Sequence, residues 1–183
     1  MRPRLQQLLA CPRCKGDLAL RADEATGDDV VTGVLECRPC RIDYPIRAGI
    51  PRFVGGGAYA ESFGDEWHRF RTVQLDSANR SRESEDGFKL KTGLGADDVR
   101  GRVVLDAGVG AGRYAEVMAR WGAEVVGVDL TRAVDAAAEN LSQVPTAHLV
   151  QADEPQELLR SGVPLPGAAT RHAQAELHVA LDR

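Results

Sequence analysis

An α/β fold in two unlike parts is predicted by three observations. Two C-x-x-C pairs lie near the start, Cys11-Pro-Arg-Cys14 and Cys37-Arg-Pro-Cys40. A glycine-rich turn sits between two apolar runs at residues 103–105 and 123–129. Only 81 residues remain from Val103 onward, about half of what a full seven-stranded sheet with its helices needs, at roughly 25 residues per strand–helix unit. The expected architecture is a small N-terminal zinc ribbon followed by an incomplete, Rossmann-like, doubly wound sheet. The expected divisions are 1–54 for the ribbon, 55–95 for a helical connector or lid, 96–153 for the first half of the sheet, and 154–183 for an atypical, poorly ordered tail. Composition agrees with a folded chain, at 43% hydrophobic and 27% charged. A net charge of −4 leaves no global basic footprint for nucleic acid.

The four cysteines are the only ones in the 183 residues, and 22 residues separate the pairs. Two such turns bring four thiolates to the corners of a tetrahedron of the size zinc takes. Arg13, Lys15, Arg38 and Arg41 flank the sulfurs and offset the charge of a Zn(Cys)4 centre. Residues 17–20 and 30–36 read as short strands joined by a polar turn. With all four positions filled by protein, the zinc is structural, held by Cys11, Cys14, Cys37 and Cys40. An iron or redox centre and a disulfide framework are the other chemistries this spacing allows. Taken with the neighbouring strings Leu35-x-Cys37 and Tyr44-Pro-Ile-x-x-Gly49-Ile-Pro51, residues 8–54 resemble the zinc-ribbon module of methyltransferase activator proteins, which is also fused to the front of some bacterial methyltransferases.

Gly55-Gly-Gly57 reads as a flexible joint. Phe63, Trp67 and Phe70 then fall on one face of a helix, either packed on the neighbouring domain or serving as a lid. Residues 76–90 are polar and read as a loop or exposed helix.

The string Val104-Leu-Asp-Ala-Gly-Val-Gly-Ala-Gly-Arg113 carries the chemistry. An apolar run enters a turn with glycines at 108, 110 and 112, a helix follows to Gly122, and a second buried strand ends on Asp129. This is a βαβ unit in which backbone can approach a ligand and an acid can accept ribose hydroxyls. A dinucleotide fingerprint wants a small sixth residue, where Arg113 stands here. Asp106 lies two places before the first glycine and would oppose a pyrophosphate. It suits the cationic end of S-adenosylmethionine instead. The string is similar to class I S-adenosylmethionine-dependent methyltransferases. That resemblance implies Asp106, Gly108 and Gly110 around the methionine end, Gly112 as a further cofactor-binding residue of the turn, Asp129 on the ribose, Leu130 and Asp153 at the adenine, and Phe63 and Trp67 over the cofactor. His148, alone in the third strand, is expected to be exposed and without a role.

Residues 151–183 hold no Ile, Phe, Tyr, Trp or Met, so no further buried strand is expected there. The outer edge of the glycine-turn strand would then stay open and invite self-association. The expected activity is methyl transfer to an unidentified acceptor by catalytic residues that these 183 positions do not reveal, and the expectation for this chain is truncation with little or no turnover. The alternative is a non-catalytic zinc-ribbon binding or activator module with a vestigial cofactor half-domain. Nucleic acid is not singled out as a partner, since the ribbon's nine basic residues up to position 60 stand beside seven acids. No run of 18 apolar residues occurs, and Leu8-Leu9-Ala10-Cys11 lacks the apolar stretch of a lipoprotein signal, so a cytoplasmic chain without a membrane is expected.

Overall fold

The computed structural model describes residues 1–54, 72–153 and 157–160 and the backbone of 178–180. The predicted lid residues Phe63 and Trp67 lie outside the described residues, as does the Gly55–57 joint.

The chain opens with α1 (Pro3–Leu8), started by a proline whose missing N–H costs nothing in the first turn. Four strands then form an antiparallel meander in chain order: β1 (Ala19–Thr26), β2 (Asp29–Cys37), β3 (Ile42–Arg47) and β4 (Ile50–Pro51). Gly33 permits the close approach of β1 to β2, because a Cβ there would lie 2.4 Å from the Arg21 carbonyl oxygen. The two strands run further than the sequence pattern suggested, out to a turn at Gly27, and slip register near Ala22–Ala25.

Helices α2 (Asp76–Asn79), α3 (Glu83–Thr92) and α4 (Ala96–Val99) come next. Of the two readings of residues 76–90, a loop or an exposed helix, the helical one holds, but the stretch is anchored rather than simply exposed. Phe88 of α3 is fully buried, with its ring 5.6 Å from Trp121 and 5.7 Å from Tyr114. The buried Asp76 carboxylate accepts the Ser84 and Glu85 amides and so caps the start of α3.

The second sheet has the order β7-β6-β5-β8. Its parallel strands are β5 (Val103–Ala107), β6 (Glu124–Asp129) and β7 (Ala147–Gln151), linked by α5 (Arg113–Arg120) and α6 (Ala133–Asn140). Short strand β8 (His178–Ala180) runs antiparallel to β5, opposite Leu105, Asp106 and Ala107. The expectation that the tail offers this edge no strand is thus corrected: β8 falls where Leu177, Val179 and Leu181 alternate in the sequence, a period-two pattern without Ile or aromatic residues, and over its three residues the edge is not open to self-association.

Period-two alternation divides the sheet's side chains between two cores. Val104, Val125, Ala147 and Leu149 face the helices, where Phe88, Val99, Met118, Val134 and Leu141 meet them. Leu105, Val126, Val128 and Val150 face the other way, into one cluster with Leu5, Leu8 and Leu9 of the N-terminal segment and Leu35 and Ile46 of the ribbon. The α1–ribbon unit thus covers the face that a complete doubly wound sheet covers with further helices. Leu158 and Leu159 join this cluster, and residues 157–160 hydrogen bond to 8–10 through Ala10 N–H to the Leu158 carbonyl and Arg160 N–H to the Leu8 carbonyl.

Polar groups fix the same junction. The Arg4 guanidinium grips Glu124 with both a 2.9 Å and a 3.0 Å bond, and Glu124 also meets His148 Nε2 at 3.1 Å. His148 is 3% exposed, which corrects the expectation of an exposed side chain: α1 and the ribbon lie across its face of the sheet. Burial lowers its pKa, with Glu124 acting against that shift. At the far edge Phe53 N–H donates to the Gln151 carbonyl, and Arg52 pairs in parallel with Gln151, so the ribbon's last residues extend the sheet beside β7.

Candidate functional site

Each cysteine pair sits on a tight turn. Lys15 N–H donates to the Cys11 carbonyl, Cys11 N–H to the Gly16 carbonyl, and Arg41 N–H to the Arg38 carbonyl. Lys15 and Arg41, each directly after a second cysteine, adopt φ of +60° and +55°, so the two turns match in shape. The four sulfurs lie within 4.8 Å of one another, with Cys11–Cys40 at 3.9 Å and Cys14–Cys37 at 3.5 Å. A tetrahedral Zn–S4 centre has edges of about 3.8 Å, so the donor set fits zinc. The Tyr44 hydroxyl lies 3.4 Å from Cys11 Sγ. Burial opposes ionisation of Cys11, but Tyr44 and the Cys14 and Arg13 amides outweigh it and draw its pKa to about 6. With four sulfurs and no other ligand group in the cluster among the described residues, such a site can hold a metal and leave it no open position.

The glycine turn lies at the C-terminal ends of β5 and β6, where open α/β sheets bind ligands. Gly108, Gly110 and Gly112 have φ of +80°, +53° and +90°, a region that side-chain-bearing residues rarely enter. A Cβ at Gly112 would also lie 2.9 Å from Leu141 Cδ1, so that side chain would have to shift. The turn is stitched down by Gly108 and Val109 N–H, both donating to the Val128 carbonyl.

Asp106 sits at the foot of this turn, 1% exposed, and its Oδ2 has no hydrogen-bond partner among the described residues. Burial, and then the neighbouring charge of Asp129, push its pKa up to about 7, against the pull of the Ala115 amide. A buried orphan acceptor is costly unless a ligand satisfies it. Asp129, half-buried at the end of β6, accepts Gly110 N–H on Oδ2 and the Thr131 amide and hydroxyl on Oδ1. The structure therefore brings Asp106, Gly108, Gly110, Gly112 and Asp129 together, with Leu130 directly after Asp129 and its carbonyl accepting from Gln151 Nε2 at 2.9 Å. Asp153 stands exposed two residues beyond β7, with no ion pair to a described residue.

Arg113, the residue that argued against a dinucleotide, begins α5 and stacks its guanidinium 4.6 Å from the centre of the Tyr114 ring. Two residues escaped the sequence reading. Thr131 ties Asp129 to the start of α6, and Asn140 Nδ2 donates to the Ala111 carbonyl at 2.9 Å from the other end of that helix. Thr131 carried a readable signal, a Thr just ahead of an apolar helical run, the usual mark of a helix start.

These features define a class: a four-cysteine ribbon joined to a Rossmann-like, largely parallel sheet with a glycine-rich turn. Residues 2–49 match the family model described as Trm112p-like protein, and residues 105–158 match the one described as methyltransferase domain. Two relatives named "UPF0434 protein" are each 41% identical over 51 residues. The one from Methylobacillus flagellatus is matched over 72% of its length and the one from Dechloromonas aromatica over 74%, in both cases across 28% of this chain. By its N-terminal module the chain belongs to the UPF0434, Trm112p-like zinc-ribbon family, and it carries a methyltransferase domain behind that module. Among the described residues, no helix is long and apolar enough to cross a membrane.

Proposed function

We propose that the chain binds S-adenosylmethionine at the glycine turn and belongs to an enzyme that transfers its methyl group to an acceptor still to be identified. The observation that carries this reading is Asp106: buried, without a partner for Oδ2 among the described residues, and placed under the turn. Such a carboxylate calls for a positively charged or hydrogen-bonding ligand and repels a pyrophosphate. When bound, S-adenosylmethionine supplies a methyl group on a sulfonium, open to in-line attack by a nucleophile.

In this reading Gly108 and Gly110 let the backbone approach the methionine end, and Asp106 balances its positive charge. Asp129 takes the ribose, Leu130 packs on the adenine, and Asp153 faces the adenine amino group. Phe63 and Trp67 would lie over the same ligand. The chain's own part in the chemistry is to position the cofactor. The zinc held by Cys11, Cys14, Cys37 and Cys40 has a structural part. The ribbon's place on the sheet supports a module that serves its own chain's sheet, with residues 1–54 and 96–153 acting as one cofactor-binding unit.

The test is release of S-adenosylhomocysteine when the zinc-loaded chain meets S-adenosylmethionine and a panel of small-molecule, protein and RNA acceptors. Release with one acceptor class supports the enzyme. Tight cofactor binding without release on any acceptor favours the activator reading.

A further inference from the structure

Arg52 follows β4 at the end of the ribbon and is 9% exposed. A cation is buried this far only where acceptors meet it. Its Nη1 donates to Gln151 Oε1 at 3.0 Å, and its Nη2 donates to the Asp135 carboxylate and, at 3.4 Å, to the Arg47 carbonyl. Gln151 is the last residue of β7, and Asp135 lies in the first turn of α6. Residues 130–132 join β6 to α6, directly after Asp129. One guanidinium of the ribbon thus holds both elements beside that loop.

The donor pattern gives the contact a direction. A guanidinium only donates, so the Gln151 amide turns its oxygen to Arg52. Its nitrogen is left to face the other way, where Nε2 donates to the Leu130 carbonyl at 2.9 Å. The far end of the loop is tied to the same cluster, because Asp135 also accepts Arg132 Nε at 3.2 Å. The backbone of Gln151 is fixed independently, with Phe53 N–H donating to its carbonyl at 2.8 Å. Arg52 therefore decides how the Gln151 side chain faces, and that side chain holds the Leu130 carbonyl.

We infer, resting on the cofactor reading above, that Arg52 is a positioning residue for the Leu130 side of the cofactor site, where that reading puts the adenine. It acts through Gln151 and needs no contact with the ligand. The ribbon then shapes the site through this side chain, beyond covering one face of the sheet.

The experiment is calorimetric titration of the full, zinc-loaded chain with S-adenosylhomocysteine, paired with denaturant unfolding of the ligand-free protein. The variants are Gln151→Glu, Arg52→Met, Gln151→Met and the last two combined. In Gln151→Glu the carboxylate still accepts from Arg52 and adds an ion pair, but it cannot donate to Leu130. This variant should keep an unfolding midpoint close to that of the unmodified chain and bind S-adenosylhomocysteine about fivefold to tenfold more weakly, the scale of one hydrogen bond. Arg52→Met should weaken binding by a similar factor. In the Gln151→Met background the same change should cost less than about twofold, because the two side chains act in series. A merely structural part for Arg52 predicts the reverse: affinity that follows the unfolding midpoint, and effects of the two substitutions that add. Unchanged affinity in folded Gln151→Glu overturns the inference, as does an additive pair. If Gln151→Glu does not fold, the cycle of the two methionine variants decides alone. Failure of the folded, unmodified chain to bind S-adenosylhomocysteine at all overturns the cofactor reading instead, and the inference falls with it.

Discussion

At the ribbon end, four sulfurs from two matched turns face one another within 4.8 Å. At the glycine turn, Asp106 Oδ2 lies buried with no donor to accept from among the described residues. The first arrangement closes on itself, so a metal there is held by protein alone and holds the chain in shape. The second is incomplete without a further group, and that incompleteness marks a place for a ligand. The two are nonetheless mechanically joined, because the ribbon and α1 cover one face of the sheet that carries the turn.

The largest effect should come from the metal. Zinc in small ribbons contributes on the order of 10 kcal/mol, so chelation or Cys37→Ser should abolish metal binding and unfold the ribbon. The shared core predicts more: hydrogen exchange should rise in β5, β6 and β7 as well as in residues 8–54. A sheet that stays protected while the ribbon opens would break the link between the two regions.

A substitution at the junction comes next. Leu9 is fully buried between ribbon and sheet, so Leu9→Ala should cost about 2–5 kcal/mol in denaturant unfolding. It should lower the stability of both parts together, in one transition. Two separated transitions, with only the ribbon weakened, would mean that the parts fold independently.

Of the two regions, the cysteine turns and the strands around the glycine turn were the legible ones. Spacing alone marks a thiolate cluster, and the apolar runs ending on Asp106 and Asp129 follow from local pattern. What the sequence did not show was set by tertiary contact. His148 is buried because α1 lies across it, which no property of a single strand records. Phe88 is one large apolar residue in a polar helix, too sparse for a periodic pattern, yet it anchors α3 against Trp121. Strand β8 did carry a signal, the alternation of Leu177, Val179 and Leu181, which a reading that weighed only the lack of Ile and aromatic residues passed over.

Smaller effects sharpen the glycine-turn side. Asp129→Ala should weaken S-adenosylhomocysteine by about 1.5–3 kcal/mol in calorimetry. The same change should leave zinc content untouched. An unchanged affinity would remove Asp129 from the site.

The smallest expected effect is a pH dependence. The folded pKa of Asp106 is raised from 3.8 to about 7, chiefly by burial and then by Asp129. Its protonated form therefore stabilises the ligand-free fold fully below 3.8, and that contribution is lost as pH rises through about 7. A ligand with a positive group beside Asp106 favours the ionised form, so affinity should rise between pH 6 and 8, by no more than about tenfold per pH unit for one proton. Asp106→Asn should flatten the rise. A wild-type affinity that falls over this range would contradict a cationic group at that place.

The most direct test of the glycine turn is competition between ligands on the zinc-loaded chain. S-adenosylhomocysteine should bind at about one per monomer, and an excess of NAD should fail to displace it. Displacement by NAD, or tighter binding of NAD alone, would contradict the assignment of the turn to S-adenosylmethionine.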